Sequence, residues 1–228
     1  MQISMGRVYG NDPADDGDRD VAVQAIENGY AALCLEQRGM GERRTIKEDK
    51  GNTRCHVTAM NALLLGRTLI GERCWDISRA IDLALTFPQI DSEGILCTGN
   101  SGGGTSTFYA ACLDERIAIA MPSCAVCSFQ DSIGAMFHCV CNFVPKLAEY
   151  MDMGDMAACI APRKLIVING KEDPIFPEKG VQKTYTTVKK IYQATGTPKH
   201  CMLVTGNGGH RYYKKEAWDA LKQMQEVE

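Results

Sequence analysis

The chain has no uninterrupted apolar run approaching the ~20 residues that a bilayer span needs, so a helical membrane anchor is not expected within it. No charged and apolar leader of the secretory kind opens the sequence. It carries no strong excess of either charge. With 25 Lys and Arg against 28 Asp and Glu, the net charge is −3, which gives no electrostatic reason to expect nucleic acid or an anionic membrane as partner. Repeats, low-complexity tracts and linkers are absent, and 228 residues are expected to form a single domain, 1–228. Cysteine is not scarce. Eleven are present, an odd number spread through apparent strands and helices, for example Cys97, Cys112 and Cys201. That pattern suits reduced, buried thiols and a cytoplasmic location better than a disulfide framework.

What is present centres on residues 94–113, GILCTGNSGGGTSTFYAACL. Ile95-Leu96-Cys97 reads as a buried strand, and an Ala-rich, aromatic-containing helix is expected from about Thr105. Between them, Gly99-x-Ser101-x-Gly103 fits the turn that lifts a nucleophilic serine above a sheet, its glycines allowing close backbone approach. The helix behind it aims free N–H groups and the positive end of its dipole at the same point.

Elsewhere, short apolar runs alternate with amphipathic stretches. Strands are expected at Tyr30–Leu35, Ile117–Met121, Leu165–Ile168 and Cys201–Val204. Helices are expected from Val21 to the Asn28-Gly29 stop, from Ile70 toward Pro88, around Val181–Tyr192 and around Ala217–Met224. Residues 1–20 read as surface loop, 44–66 give no clear pattern, and 122–161 read as a partly helical cover over a binding site. This alternation specifies an α/β protein with a mainly parallel sheet and helices on both faces.

A serine nucleophile needs a general base, and the base needs an orienting carboxylate. Asp173 follows the Leu165–Ile168 run and His210 ends the Gly-rich stretch after Cys201–Val204, both in loops at one sheet edge. The order Ser101, Asp173, His210 is that of the α/β-hydrolases. His56, His138 and His200 are weaker candidates for the base, and Glu172 is the second choice for the orienting carboxylate. Arg38, Trp75 and Phe176 are candidates for lining a substrate pocket. Cys124-x-x-Cys127 and Cys139-x-Cys141 beside His138 have zinc-like proximity, but their spacing matches no common zinc module. A cysteine-rich core is expected there, with no metal and no cofactor.

Several stretches together, RGMGER, WDISRAIDLALTFPQID, GNSGGG, LDERIAIAMPSC, MDMGDMAACIAPRKLIVINGKEDPIFP and the final GGH, resemble the acetyl-xylan-esterase and dienelactone-hydrolase-like group of α/β-hydrolases. The resemblance runs from about Gly29 onward. It implies Ser101, Asp173 and His210 as a triad, Gly102 N–H as one oxyanion donor, and hydrolysis of short acyl esters, with acetylated carbohydrates such as acetyl xylan as substrates. It departs from that group in one respect: nothing like a His-Gly oxyanion loop precedes Met1-Gln2-Ile3-Ser4. The expectation is therefore an N-terminally shortened fold, with the strand beside the elbow strand missing, and an exposed edge that a homodimer could cover. Two other functions share these features, a serine peptidase of the prolyl-oligopeptidase type and a catalytically silent binding protein.

Overall fold

The computed structural model describes residues 2–4, 20–45 and 55–226. Six parallel strands form one sheet in the order β2-β1-β3-β4-β5-β6. In chain order the elements are β1 (Gln2–Ser4), α1 (Val21–Glu27), β2 (Cys34–Glu36), α2 (His56–Leu64), α3 (Leu69–Ala84), β3 (Leu96–Asn100) and α4 (Gly102–Leu113). They continue with β4 (Ile119–Ser123), α5 (Leu147–Tyr150), α6 (Met153–Met156), β5 (Lys164–Gly170), α7 (Glu178–Ala194), β6 (Cys201–Gly206) and α8 (Lys214–Gln225).

The sheet is covered on both faces. Ile70, Ile77 and Ile81 of α3 join Phe108 of α4 and Val181, Val188 and Tyr192 of α7 in one core. On the other face Val21 and Ala25 of α1 pack with Ala217, Trp218 and Leu221 of α8 over Leu96, Met121 and Ile166. Adjacent strand residues face opposite ways, so Leu165 and Val167 enter the first core while Ile166 and Ile168 enter the second. This double burial is why the strands read as continuous apolar runs.

Two helix boundaries follow from local chemistry. Thr68 starts α3 by accepting the Gly71 N–H on its side chain. Asn28 closes α1, and Gly29 follows at φ 84°, a conformation that glycine adopts without strain.

The missing-strand expectation is corrected here. β1, only three residues long, lies between β2 and β3, with Ile3 opposite Leu35 on one side and Gly99 on the other. A run of three residues offers too little alternation to be read as a strand. Residues 5–19, which make up most of the stretch read as loop, lie outside the described residues. β2 is also shorter than expected, because its partner β1 supplies only three residues to pair with. Tyr30 instead packs against Trp218, ring centroids 6.0 Å apart. In the unpatterned 44–66 stretch, α2 spans His56–Leu64, while 46–54 lie outside the described residues. None of the described helices is long and apolar enough to cross a membrane.

Candidate active site

Ser101 sits between the last residue of β3 and the first of α4, at φ 55° and ψ −120°. This is a sparsely populated backbone state for a residue with a side chain, and it costs roughly 1–3 kcal/mol. The surroundings hold it there. The Ser101 N–H donates to the Ser123 carbonyl at 2.8 Å, and the Ser101 carbonyl accepts from Thr105 N–H at 2.8 Å. The helix must pass close to β4 to do this. A Cβ on Gly104 would stand 2.3 Å from the Ser123 carbonyl oxygen and 2.8 Å from Ala125 Cβ, so the third glycine of the run sets this approach. The helix begins at Gly102 rather than near Thr105, which points its first N–H groups at the serine.

Asp173 and His210 meet at the same edge. The His210 Nδ1 lies 2.8 Å from Asp173 Oδ2. Asp173 Oδ1 accepts the N–H groups of Ile175 at 2.9 Å and Phe176 at 3.0 Å. The carboxylate is wholly buried, and burial alone would push its pKa up. The bond to His210 and the two backbone N–H groups outweigh that, and hold it below the ordinary carboxylate value. Gly170 makes the meeting of the two loops possible, since a Cβ there would lie 2.1 Å from the Gly209 carbonyl oxygen. Phe176 stacks on the His210 ring at 5.8 Å and 15°. Ser101 makes no side-chain hydrogen bond among the described residues, so the Asp173–His210 half of the arrangement is closed and the Ser101–His210 half is open.

A cavity of about 450 Å³ opens above Ser101, with Gly102, Thr105, Met40, His56, His138 and Phe176 in its wall. Gly102, to which the resemblance gives an oxyanion role, is among the residues lining this cavity. A larger hollow, about 800 Å³, lies at the opposite ends of the strands near Leu33, Ile95 and Lys164 and contains none of the candidate residues. Chemistry, not size, picks the smaller one.

Of the three candidate pocket residues, Phe176 is in the wall and the other two are not. Arg38 is held by Asp76 through two hydrogen bonds of 2.8 Å and by Glu72. Trp75 is 57% exposed, with the Arg79 guanidinium over its ring. Glu172 is exposed, and His200 donates its Nδ1 proton to the Pro162 carbonyl, away from the cavity. His56 and His138, set aside on sequence grounds, both face the cavity. His138 Nε2 donates to Ser132 Oγ at 3.0 Å, while that hydroxyl donates to the Ile175 carbonyl at 2.7 Å. Burial lowers the His138 pKa, so the ring is a neutral neighbour of Phe176. No spacing pattern in the chain links residue 138 to the 173–176 loop.

Cys124 stands close to Asp173 and His210. Burial, and then the Asp173 charge, push its thiol up to about 12. It is therefore a neutral thiol near neutral pH and no competing nucleophile. Cys55 and Cys139 are bonded to one another, so the expectation of eleven free thiols does not hold for these two.

Residues 11–136, more than half of the chain, match the family model of the acetyl xylan esterases (AXE1). The chain belongs to the acetyl xylan esterase family. It is 25% identical over 185 residues to the Bacillus subtilis (strain 168) protein named "Putative hydrolase YtaP", covering 80% of this chain and 60% of that one. Among solved structures, it superposes on a carbohydrate esterase family 15 (CE15) glucuronoyl esterase from Caldicellulosiruptor kristjansonii with TM-score 0.72 and 18% identity, over 98% of this chain and 66% of that one. A "putative acetyl xylan esterase (BF1801)" from Bacteroides fragilis NCTC 9343 gives TM-score 0.77 at 15% identity, over 98% and 70%. These structural likenesses establish the α/β-hydrolase-like fold. The chain spans 60% of the length of that curated relative and 66% and 70% of the length of these two structures.

Proposed function

We propose that this member of the family is a serine carboxylic-ester hydrolase acting on short acyl esters, with acetylated carbohydrates such as acetyl xylan as the substrate class. The observation that carries the reading is the strained Ser101 at the strand–helix turn, opening into the same cavity as Phe176, the residue stacked on the Asp173-bonded His210.

The ionised Asp173 accepts the Nδ1 proton of His210, which leaves Nε2 as the lone-pair nitrogen and general base. Ser101 Oγ attacks the ester carbonyl carbon while Nε2 takes its proton. The C–O bond to the alcohol then breaks, and the alcohol leaves with that proton. Water, deprotonated by the same nitrogen, adds to the acyl-serine and releases the acid. The Gly102 N–H, at the start of α4 and without a hydrogen bond among the described residues, is the donor assigned to the developing oxyanion. A Ser101–His210 hydrogen bond that closes only with substrate bound fits the looseness common in unliganded hydrolases. The cavity, about 450 Å³, suits a small acyl group with one sugar ring better than a polymer chain laid along it.

The test is release of acetate from p-nitrophenyl acetate and from acetylated xylan, with methyl glucuronate esters as the competing class suggested by the fold neighbours. Turnover of acetyl esters that disappears in Ser101→Ala supports the reading. Equal rates for Ser101→Ala and the parent protein would overturn it.

A further inference from the structure

The ester chemistry makes no use of the buried histidine in the cavity wall. His138 is 7% exposed, and its ring stands edge-on to Phe176 at 5.3 Å. Its neighbours assign its proton. Ser132 has a single hydroxyl proton, which goes to the Ile175 carbonyl at 2.7 Å. The Ser132 oxygen therefore accepts from the imidazole, 3.0 Å away, and the ring proton sits on Nε2. A neutral ring, the form that burial favours, then carries its lone pair on Nδ1. Nδ1 makes no hydrogen bond among the described residues, yet it is not sealed from solvent. An acceptor left unpaired in so buried a ring costs free energy until a bound group supplies the donor.

Two features of the wall select that donor. Among the described residues lining the cavity there is no lysine or arginine, so no such cation stands ready for an anionic ligand. Phe137, the preceding residue and part of the same wall, is 94% exposed and leaves its ring uncovered. A neutral sugar ring complements both. Its hydroxyls donate around the rim, and its C–H bonds make an apolar face that packs on an aromatic ring.

We propose that His138 selects the alcohol half of the ester: its Nδ1 accepts a hydrogen bond from a hydroxyl of a neutral sugar ring that packs on Phe137. The identity of the ligand rests on the ester-hydrolase reading, since an acetyl group has no hydroxyl and the donor must come from the alcohol. A site built to pair with a substrate hydroxyl discriminates against alcohols that lack it, because the acceptor is then left buried and unpaired.

His138→Gln separates this role from a structural one. Glutamine can keep an N–H donor toward Ser132 and has no atom in place of Nδ1. The sugar ester is methyl 3-O-acetyl-β-D-xylopyranoside, whose free hydroxyls flank the acetyl group, and the reference ester is p-nitrophenyl acetate, which has none. In His138→Gln the ratio of kcat/KM for the sugar ester to that for the reference should fall roughly 10-fold, mainly through KM. The parent protein should lose as much when the 2-deoxy or the 4-deoxy analogue replaces the full sugar, and His138→Gln should not distinguish that analogue. An unchanged ratio in His138→Gln would make His138 a prop for the Ile175 loop and overturn the proposal, as would a parent protein indifferent to both analogues. Phe137→Ala should raise KM for the sugar ester, and an unchanged KM would remove Phe137 from the subsite.

A second measurement needs no turnover. In Ser101→Ala protein labelled at the histidine nitrogens, the His138 Nδ1 resonance, assigned by its loss on adding His138→Gln, should move upfield as the xyloside is added. That is the direction of a lone pair accepting a hydrogen bond. A resonance unmoved up to the solubility of the sugar overturns the subsite. If the resonance moves while the parent protein hydrolyses neither ester, the hydrolase reading fails and the sugar subsite stands.

Discussion

The His210 Nδ1 stands 2.8 Å from the Asp173 Oδ2, and the other oxygen of that carboxylate is held by the N–H groups of Ile175 and Phe176. One buried carboxylate thus fixes both the imidazole and the loop that carries the aromatic ring stacked on it. Orientation of the imidazole and shape of the cavity wall are the same structural fact.

Replacing Asp173 with Asn keeps the size and removes the charge. Turnover of p-nitrophenyl acetate is expected to fall by roughly 10³–10⁴-fold, because an amide no longer enforces the Nδ1–H tautomer. Steady-state kinetics on folded protein checks this, and a loss of less than tenfold would remove Asp173 from the triad.

The same carboxylate makes an acid-labile contribution to stability. Its folded pKa lies below the unfolded value, so the stabilisation is complete above the unfolded value and disappears as pH falls through the folded one. The stability gap between the parent protein and Asp173→Asn should be constant near neutrality and shrink as pH drops from about 5 toward 2. Urea unfolding across that range measures it. A gap that widens in acid would contradict the assigned direction.

Ser101→Gly separates strain from chemistry. Glycine adopts φ 55° and ψ −120° without a side-chain clash, so this variant should be inactive yet more stable by about 1 kcal/mol. For a chain of this length that is roughly 2–4 °C in Tm. A lower Tm than that of Ser101→Ala would mean that the serine backbone is not strained.

Much of this site was legible in the sequence because it depends on local signals. Ser101, Asp173 and His210 each follow an apolar run, and strand ends in a parallel sheet gather at one edge, which is why all three were expected there; the structure bonds Asp173 to His210. The short β1 was not legible, since Gln2–Ser4 becomes a strand only through its neighbours on both sides. Nor was the role of Gly104. The Gly99-x-Ser101-x-Gly103 pattern draws attention to its own glycines, while the close approach to the Ser123 carbonyl falls at Gly104, one residue further along. The approach of His138 to the loop of Ile175, through Ser132, and the pairing of Cys139 with Cys55 were not legible for a similar reason. They depend on how the 122–161 cover folds back over α4, and that segment has no period to read.

Phe176 offers a final test of how the pair is positioned. Its N–H bond to Asp173 belongs to the backbone, so Phe176→Leu preserves that bond and removes only the ring stacked on His210 and set edge-on to His138. If the ring positions the imidazole, kcat should fall by roughly 10–100-fold, since small misplacements of a catalytic group carry penalties of that size. KM for a small acetyl ester should change little, because most of the cavity wall is untouched. The opposite split, a large rise in KM with kcat unchanged, would make Phe176 a substrate contact rather than a positioning residue for His210. Measuring both constants on p-nitrophenyl acetate separates the two roles, and Phe176→Tyr, which restores an aromatic face, should recover most of the lost kcat only if stacking is the cause.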